Sequence, residues 1–103
     1  MAQEASVQTL IITGSWMVRV FDSSGQEIKP RTLLIEGSGH FEVGQLPSKA
    51  IIAIIEPEDD YDAYRVRLYC YNNGAMRLVG ATFISNPLDD ISNHVRDALV
   101  RCQ

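Results

Sequence analysis

Residues 49–84 decide the fold and read KAIIAIIEPEDDYDAYRVRLYCYNNGAMRLVGATFI. The run 50–55 consists of apolar residues without polar alternation, and it is too short for a full helix. A run of this kind predicts a strand that is covered on both faces. We therefore expect this strand to be central, with the rest of the chain packed around it.

A β-hairpin is predicted to follow the central strand. Residues 64–71 alternate between two faces, and residues 75–84 return after Asn73 and Gly74, which accept the positive φ of a tight turn. One face of the first hairpin strand is mainly apolar and carries Tyr64, Val66, Leu68 and Cys70. The other face carries Arg65, Arg67, Tyr69 and Tyr71.

The length of the hairpin turn sets which residues of the returning strand face the core. A two-residue turn places Val79, Ala81 and Phe83 on the apolar face. A three-residue turn places Met76, Leu78, Gly80 and Thr82 there instead. We favour the two-residue turn because Val79 and Phe83 are better core residues than Gly80 and Thr82.

Further strands are predicted before the central run. Residues 7–13, 15–21, 32–36 and 40–43 are rich in residues that favour strands. The sequence Asp22-Ser23-Ser24-Gly25 predicts a turn. In the second of these strands, Trp16, Val18 and Val20 are expected on one face, with Met17, Arg19 and Phe21 on the other.

The C-terminal segment is predicted to be a helix over residues 87–101. Its apolar residues recur at the spacing of one helical face, namely Leu88, Ile91, Val95, Ala98, Leu99 and Cys102. Asn86 is the expected N-cap and Pro87 the first helical residue. The apolar stripe is expected to cover a sheet face.

These elements predict an α+β, β-rich fold: an antiparallel β-sandwich or curled sheet of six to seven strands with one C-terminal amphipathic helix. The 103 residues are expected to form a single domain, residues 1–103, with residues 1–5 disordered. Hydrophobic residues make up 46% and charged residues 21%, which is ordinary for a soluble globular protein. The sequence shows no transmembrane run and no intact signal peptide, so we expect a cytoplasmic protein that does not bind membranes, unless a signal peptide was removed from it.

The negative charge is concentrated in residues 56–62. Five carboxylates there more than account for the net charge of −4, and they belong to Glu56, Glu58, Asp59, Asp60 and Asp62. This acidic loop lacks the spacing of a calcium-binding loop, so a solvated hairpin tip is favoured over a metal site or contact with a basic partner. The arginines are scattered, which disfavours nucleic-acid binding.

No pattern in the sequence predicts catalysis or a cofactor. Neither His40 nor His94 has a nucleophile and an orienting group placed beside it by the sequence. Cys70 and Cys102 are too few for a disulfide scaffold or a zinc site, and Cys70 is expected in the core. We therefore expect no catalytic, cofactor-binding or metal-binding residues, and we favour a protein that is not an enzyme.

Two segments resemble a known family. Residues 18–28, VRVFDSSGQEI, and 39–47, GHFEVGQLP, show a strand, an Asp-x-x-Gly turn, a Gly-x-Phe strand and a Leu-Pro turn. This pattern resembles transthyretin-like and carboxypeptidase-regulatory-type β-sandwich domains over roughly residues 16–56. The resemblance implies a non-catalytic accessory or binding domain and transfers no catalytic residues.

The predicted partner-binding residues are Arg65, Arg67, Tyr69 and Tyr71, because arginine and tyrosine are enriched at interfaces. Ordinary amphipathic surface is the alternative reading of this strand face. The sequence thus predicts a non-catalytic protein–protein interaction or accessory domain, with a homodimer as one form. In that homodimer the arginines of one subunit are expected to face the acidic loop of the other. The alternative is a small enzyme or ligand-binding domain whose site is assembled only in the folded structure.

Overall fold

The computed structural model describes residues 8–11, 16–28, 33–35, 40–43, 47–58, 62–73 and 75–102. These residues form strands β1 (Gln8–Ile11), β2 (Trp16–Asp22), β3 (Leu33–Ile35), β4 (His40–Val43), β5 (Lys49–Glu58), β6 (Ala63–Asn72) and β7 (Ala75–Ile84), and helix α1 (Ser92–Arg101).

The main sheet is antiparallel. Four long strands follow the order β2-β5-β6-β7, with the short β3 at the β2 edge, and β1 pairs with β4 in a separate two-stranded ladder. The predicted α+β class, antiparallel sheet and C-terminal helix are confirmed. The closure of the strands into a sandwich stays a prediction, and the predicted disorder of residues 1–5 lies outside the described residues.

The central position predicted for residues 50–55 is confirmed. Strand β5 pairs with β2 on one side and with β6 on the other, and none of these six residues is more than 7% exposed. Ile51, Ala53 and Ile55 project to the side where α1 packs, which we call the helix face. Ala50, Ile52 and Ile54 project to the opposite side, the far face. A single apolar run therefore supplies both clusters of the core.

Strand β2 contributes to both faces as its alternation predicts. Val18 and Val20 belong to the far-face cluster, whereas Met17 and Phe21 pack on the helix face. The turn predicted after β2 is confirmed: one carboxylate oxygen of Asp22 accepts hydrogen bonds from the backbone N–H groups of Ser24 and Gln26, at 2.9 and 3.0 Å. Gly25 adopts the positive φ of 89° that a glycine tolerates best.

The turn after β2 places Glu27 beside Arg19, a charged residue that is only 6% exposed on the helix face. The Arg19 guanidinium donates to both carboxylate oxygens of Glu27, at 3.0 and 2.9 Å. It also donates to the carbonyl oxygens of Pro87 and Asp89, at 3.2 and 2.8 Å. Its carbon Cζ lies 5.5 Å from the centre of the Phe21 ring. Arg19 thus ties the second strand to the loop that precedes the helix.

The prediction that the helix starts at Pro87 is wrong, because α1 begins at Ser92. The Asn86 side chain accepts from the backbone N–H of Leu88 at 2.9 Å and so stabilises a turn rather than a helix. The carbonyls of Pro87 and Asp89 accept from Arg19. In a helix that began at Pro87, those carbonyls would instead accept from backbone N–H groups four residues later.

The helix packs through only part of its predicted stripe. Ile91, Val95 and Ala98 are at most 1% exposed, and Leu99 and Cys102 pack partly buried against the same cluster. Leu88 is 65% exposed, so its assignment to the buried stripe is wrong. The cause is the later start of the helix, since Leu88 belongs to the preceding loop.

The register of β6 against β7 changes once, at a β-bulge. Next to the turn, Asn72 lies opposite Ala75, which confirms the register of the two-residue turn. Beyond an irregularity between Leu68 and Tyr69, Leu68 lies opposite Gly80 and not opposite Val79. The inserted residue, Val79, stays buried on the helix face, and the side chains of β7 that follow it change face.

The bulge overturns part of the predicted core. Ala81 and Phe83 were expected on the apolar face, but Phe83 is 58% exposed and lies opposite Arg65 on the far face. Gly80 takes a place on the helix face, where a side chain at this position would lie 3.5 Å from Leu68. From Gly80 onward, the one extra residue in β7 moves side chains expected on the helix face to the far face, and those expected on the far face to the helix face.

A disulfide joins Cys70 of β6 to Cys102 at the end of α1, with the two Cα atoms 5.7 Å apart. The expectation that Cys70 is a core residue is confirmed, since it is 7% exposed. Two cysteines were too few to predict a disulfide framework, and a single bond across 32 residues fastens the helix end to the sheet.

Asp90 stabilises the start of α1 in a pH-dependent way. Hydrogen bonds from the backbone N–H and the hydroxyl of Ser92 lower the pKa of Asp90, and the charges of Arg19 and Arg96 act in the same direction. A carboxyl whose pKa is lower in the folded state stabilises the protein above its unfolded-state pKa, and this contribution is lost as the pH falls through the folded pKa. We therefore expect the free energy of unfolding to decrease below about pH 4.

The variant Asp90→Asn tests this expectation. Urea unfolding at pH 7 and at several values down to pH 3 should show a shallower loss of stability for Asp90→Asn than for the wild type. Asp22→Asn should behave in the same way, because hydrogen bonds from Ser24 and Gln26 also lower the pKa of Asp22. If the free energy of unfolding of both variants falls as steeply between pH 7 and pH 3 as that of the wild type, Asp90 and Asp22 do not cause the pH dependence.

Candidate protein-interaction surface

The far face is buried over β2, over the apolar run of β5 and at Tyr71 of β6, and it is more open over the rest of β6 and β7. Val18, Val20 and Ile52 are fully buried there. Towards β7 the exposure rises, and Leu78 and Phe83 are 55% and 58% exposed. We call the open part of this face the β6–β7 patch; it consists of Arg65, Arg67, Tyr69, Leu78 and Phe83.

Antiparallel pairing brings the residues of the β6–β7 patch together. Tyr69 lies directly opposite Leu78, and Arg65 lies directly opposite Phe83. Residues opposite one another on the same sheet face have their Cβ atoms about 4.5–5.5 Å apart, so each pair is in contact range. The Arg65 carbon Cζ lies 5.7 Å from the centre of the Phe83 ring, which is a cation–π distance.

Two ion pairs balance the charge of the patch. Arg65 pairs with Glu58 at 2.8 Å, and Arg67 pairs with Glu56 at 3.0 Å. The arginine side chains remain about one-third exposed, at 38% and 32%. Each positive charge of the patch is therefore matched by a neighbouring carboxylate of β5. The patch presents apolar surface and arginine side chains without an excess of either charge.

These ion pairs change the predicted mode of pairing between subunits. From the sequence, the arginines of one subunit were expected to face the acidic loop of another. Glu58 is instead engaged with Arg65 of its own chain. A charge-steered contact through Glu58 would first have to break this pair. The pairing of the arginines with the rest of the acidic loop stays a prediction, because Asp59 and Asp60 lie outside the described residues.

The predicted site residues are placed as follows. Arg65, Arg67 and Tyr69 lie on the patch and are partly exposed, but Tyr71 is 1% exposed and packs in the far-face cluster. Tyr71 therefore has no surface to offer a partner. It lies between Ala50 and Met76 in the sheet, and Ile28 and Met76 pack against the cluster to which it belongs.

The predicted acidic loop is only partly a loop. Glu56 and Glu58 belong to β5, and Asp62 is an exposed turn residue before β6. Asp59 and Asp60 lie outside the described residues. Within the described ranges, no group of three or more His, Cys, Asp or Glu residues is placed to hold a metal ion.

Sequence reasoning missed Leu78 and Phe83 as site residues. The favoured register placed Phe83 in the core, and the bulge at Val79 reverses that placement. The available signal was Gly80, since an isolated glycine within a strand pattern indicates a bulge.

Comparisons with protein-family models, curated proteins and solved structures found no match. The resemblance to transthyretin-like domains stays a prediction. In the part of the chain that the structure describes, no helix has the length and apolar character needed to cross a membrane.

Proposed function

We propose that this domain is a non-catalytic protein-recognition domain that self-associates through the β6–β7 patch. The observation that carries the proposal is the exposure of two large apolar side chains, Leu78 at 55% and Phe83 at 58%, on one sheet face. Large apolar side chains exposed on one face of a soluble protein favour an interaction site. The accessory role implied by the transthyretin-like resemblance belongs to the same proposal.

The composition of the patch supports recognition of a protein. Aromatic residues and arginine are the types enriched at protein interfaces, and they supply most hot spots. Arg65 and Arg67 are held against the sheet by their ion pairs, so little side-chain entropy is lost when a partner covers them. Phe83 is similarly placed under the Arg65 guanidinium.

Charge balance makes a second copy of the chain a suitable partner. In a two-fold contact the same patch meets itself, so any uncompensated charge would face an identical charge. The pairs Arg65–Glu58 and Arg67–Glu56 remove that repulsion. Because the contact would be mainly apolar, we expect its dissociation constant to depend only weakly on salt.

Light scattering or sedimentation velocity over a range of protein concentrations tests the proposal. The wild type should form a dimer, and the double variant Leu78→Ser with Phe83→Ser should dissociate at least about 30-fold more readily, since a single hot-spot truncation already costs about 2 kcal/mol. Both side chains are exposed, so we expect the variant monomer to remain folded, and circular dichroism checks this.

The chain offers a matched control. Leu88→Ser removes a leucine that is 65% exposed outside the patch, and it should leave the dissociation constant unchanged. A wild type that stays monomeric at millimolar concentration would reject self-association. Equal effects of Leu88→Ser and the double variant would show that general surface hydrophobicity, and not the patch, causes association.

A further inference from the structure

A cavity of about 320 Å³ lies beside the disulfide that joins the helix to the sheet. Cys70 and Cys102 both line it, together with Leu99 of α1. Its lining also includes Lys49 and Ser23, which are exposed, so the cavity is continuous with the protein surface. A volume of this size lies at the lower end of small-molecule sites.

The two cysteines of the disulfide differ in exposure. Cys70 is 7% exposed in the helix-face cluster, whereas Cys102 is half-buried at the end of α1. An incoming thiolate can therefore approach Cys102 more readily than Cys70. In such an attack Cys70 is the leaving group, and its environment helps to set the rate.

Two cationic residues are neighbours of Cys70 in the sheet, and the guanidinium of one of them, Arg77, donates to the carbonyl oxygen of Arg101, next to Cys102, at 3.2 Å. Arg77 lies directly opposite Cys70 in the pairing of β6 with β7. Lys49 lies opposite Asn72, one diagonal step from Cys70 on the same face of the sheet. Such neighbours have their backbones about 5–8 Å apart, within reach of long side chains. Nearby cations stabilise a thiolate.

The described lining of the cavity is positively charged. None of the described residues that line it carries a carboxylate, and Lys49 contributes an ammonium group. A small thiol that bears a carboxylate can pair with Lys49 while its sulfur approaches Cys102. A thiol that bears a positive charge would be repelled.

We propose that this cavity is a thiol–disulfide exchange site for a small anionic thiol. The thiolate of the incoming molecule attacks the Sγ atom of Cys102, a new S–S bond forms, and the Cys70–Cys102 bond breaks, with the electron pair leaving on Cys70. A second thiolate then attacks the sulfur of the bound molecule and releases Cys102 as a thiolate together with a small disulfide. Water protonates the two cysteines, and two electrons have passed from the small thiols to the protein.

This reaction would release the last turn of α1 from β6 while Ile91, Val95 and Ala98 still hold the helix on the sheet. In the cytosol, disulfides are usually transient and redox-sensing. An exchangeable disulfide is therefore consistent with the cytoplasmic location predicted from the sequence.

Reduction rates of the oxidised protein by three thiols test the proposal. The probes are glutathione, which is anionic, 2-mercaptoethanol, which is neutral, and cysteamine, which is cationic. Each rate is followed by alkylation and mass spectrometry and is divided by the rate of the same thiol on a small disulfide, which removes intrinsic reactivity. The wild type should rank glutathione above 2-mercaptoethanol and cysteamine last.

Three variants assign the effect to named residues. Lys49→Gln should lower the ratio of the glutathione rate to the 2-mercaptoethanol rate by about three- to tenfold, as expected for the loss of one nearby charge. Lys49→Glu should reverse the order of glutathione and cysteamine. Arg77→Gln should slow all three thiols by a similar factor, because Arg77 acts on the leaving group. Arg96→Gln, a change at an exposed cation of α1 outside the cavity, should leave every ratio within twofold.

Two results would overturn the proposal. One is a ratio that Lys49→Gln and Lys49→Glu leave unchanged. The other is a disulfide that is reduced only at the rate of global unfolding, which would make it a structural bond closed to small thiols. Lys49 is exposed, so neither variant is expected to impair folding.

Discussion

Replacing Arg19 with alanine should lower the free energy of unfolding by about 3–5 kcal/mol, the cost of removing one partner from a buried ion pair. The side chains of Arg19 and Glu27 are 8% and 16% exposed, so Glu27 would retain a poorly hydrated charge without its partner. The carbonyls of Pro87 and Asp89 would also lose their donor. Chemical denaturation at neutral pH measures the loss.

Arg96→Ala is the control for this experiment. Arg96 is exposed on α1, and its removal should change stability by less than about 0.5 kcal/mol, as for most surface positions. If Arg19→Ala also costs less than about 1 kcal/mol, the Arg19 cluster does not hold the loop before the helix. A loss of about 0–1 kcal/mol, the usual contribution of an exposed ion pair, would show that the Arg19–Glu27 pair stabilises the fold no more than a surface pair does.

Breaking the Cys70–Cys102 disulfide should destabilise the domain by about 3–4 kcal/mol, because the bond closes a long loop in the unfolded chain. The two cysteines are 32 positions apart, and the bond joins the last described turn of the helix to an inner strand of the sheet. Denaturation of the wild type with and without excess reductant measures the effect.

The double variant Cys70→Ala with Cys102→Ser provides the reference for the reduced state. It should match the reduced wild type to within about 1 kcal/mol, since Cys70 sits in the core and its replacement removes one buried sulfur. Its stability should not respond to reductant. If mass spectrometry shows two free thiols in the wild type and its stability is unchanged, the bond does not stabilise the fold.

The strands of the hairpin could be predicted because local patterns determine them. The apolar run 50–55 indicates a strand with two buried faces, and the alternation of residues 64–71 indicates a strand with one. At the turn between the hairpin strands, Asn73 adopts the positive φ of 49° that asparagine tolerates. The bulge at Val79 could not be placed by alternation alone, since it depends on how β7 fits Leu68 and the helix. Phe83 was therefore assigned to the wrong face.

The start of the helix and the disulfide depend on contacts between distant parts of the chain. Pro87 satisfies the local rules for a first helical residue. Its carbonyl oxygen, however, accepts a hydrogen bond from Arg19, which is 68 positions away in the chain. Cys102 meets Cys70 only because the helix lies across β6. The same holds in part for the β6–β7 patch: Arg65, Arg67 and Tyr69 could be proposed from one strand and Leu78 follows from the two-residue turn, whereas the place of Phe83 depends on the bulge.

The central claim, that the β6–β7 patch binds a second copy, is tested most directly by nuclear magnetic resonance of methyl groups as the protein concentration is raised. The account predicts that the methyl signals of Leu78 and Ala81 shift together along one binding curve, because both are exposed on the far face. The methyl signals of Leu88 and Val100, which are 65% and 68% exposed elsewhere, should not move. Shifts confined to Leu88 and Val100, or no shift at any concentration, would contradict the account.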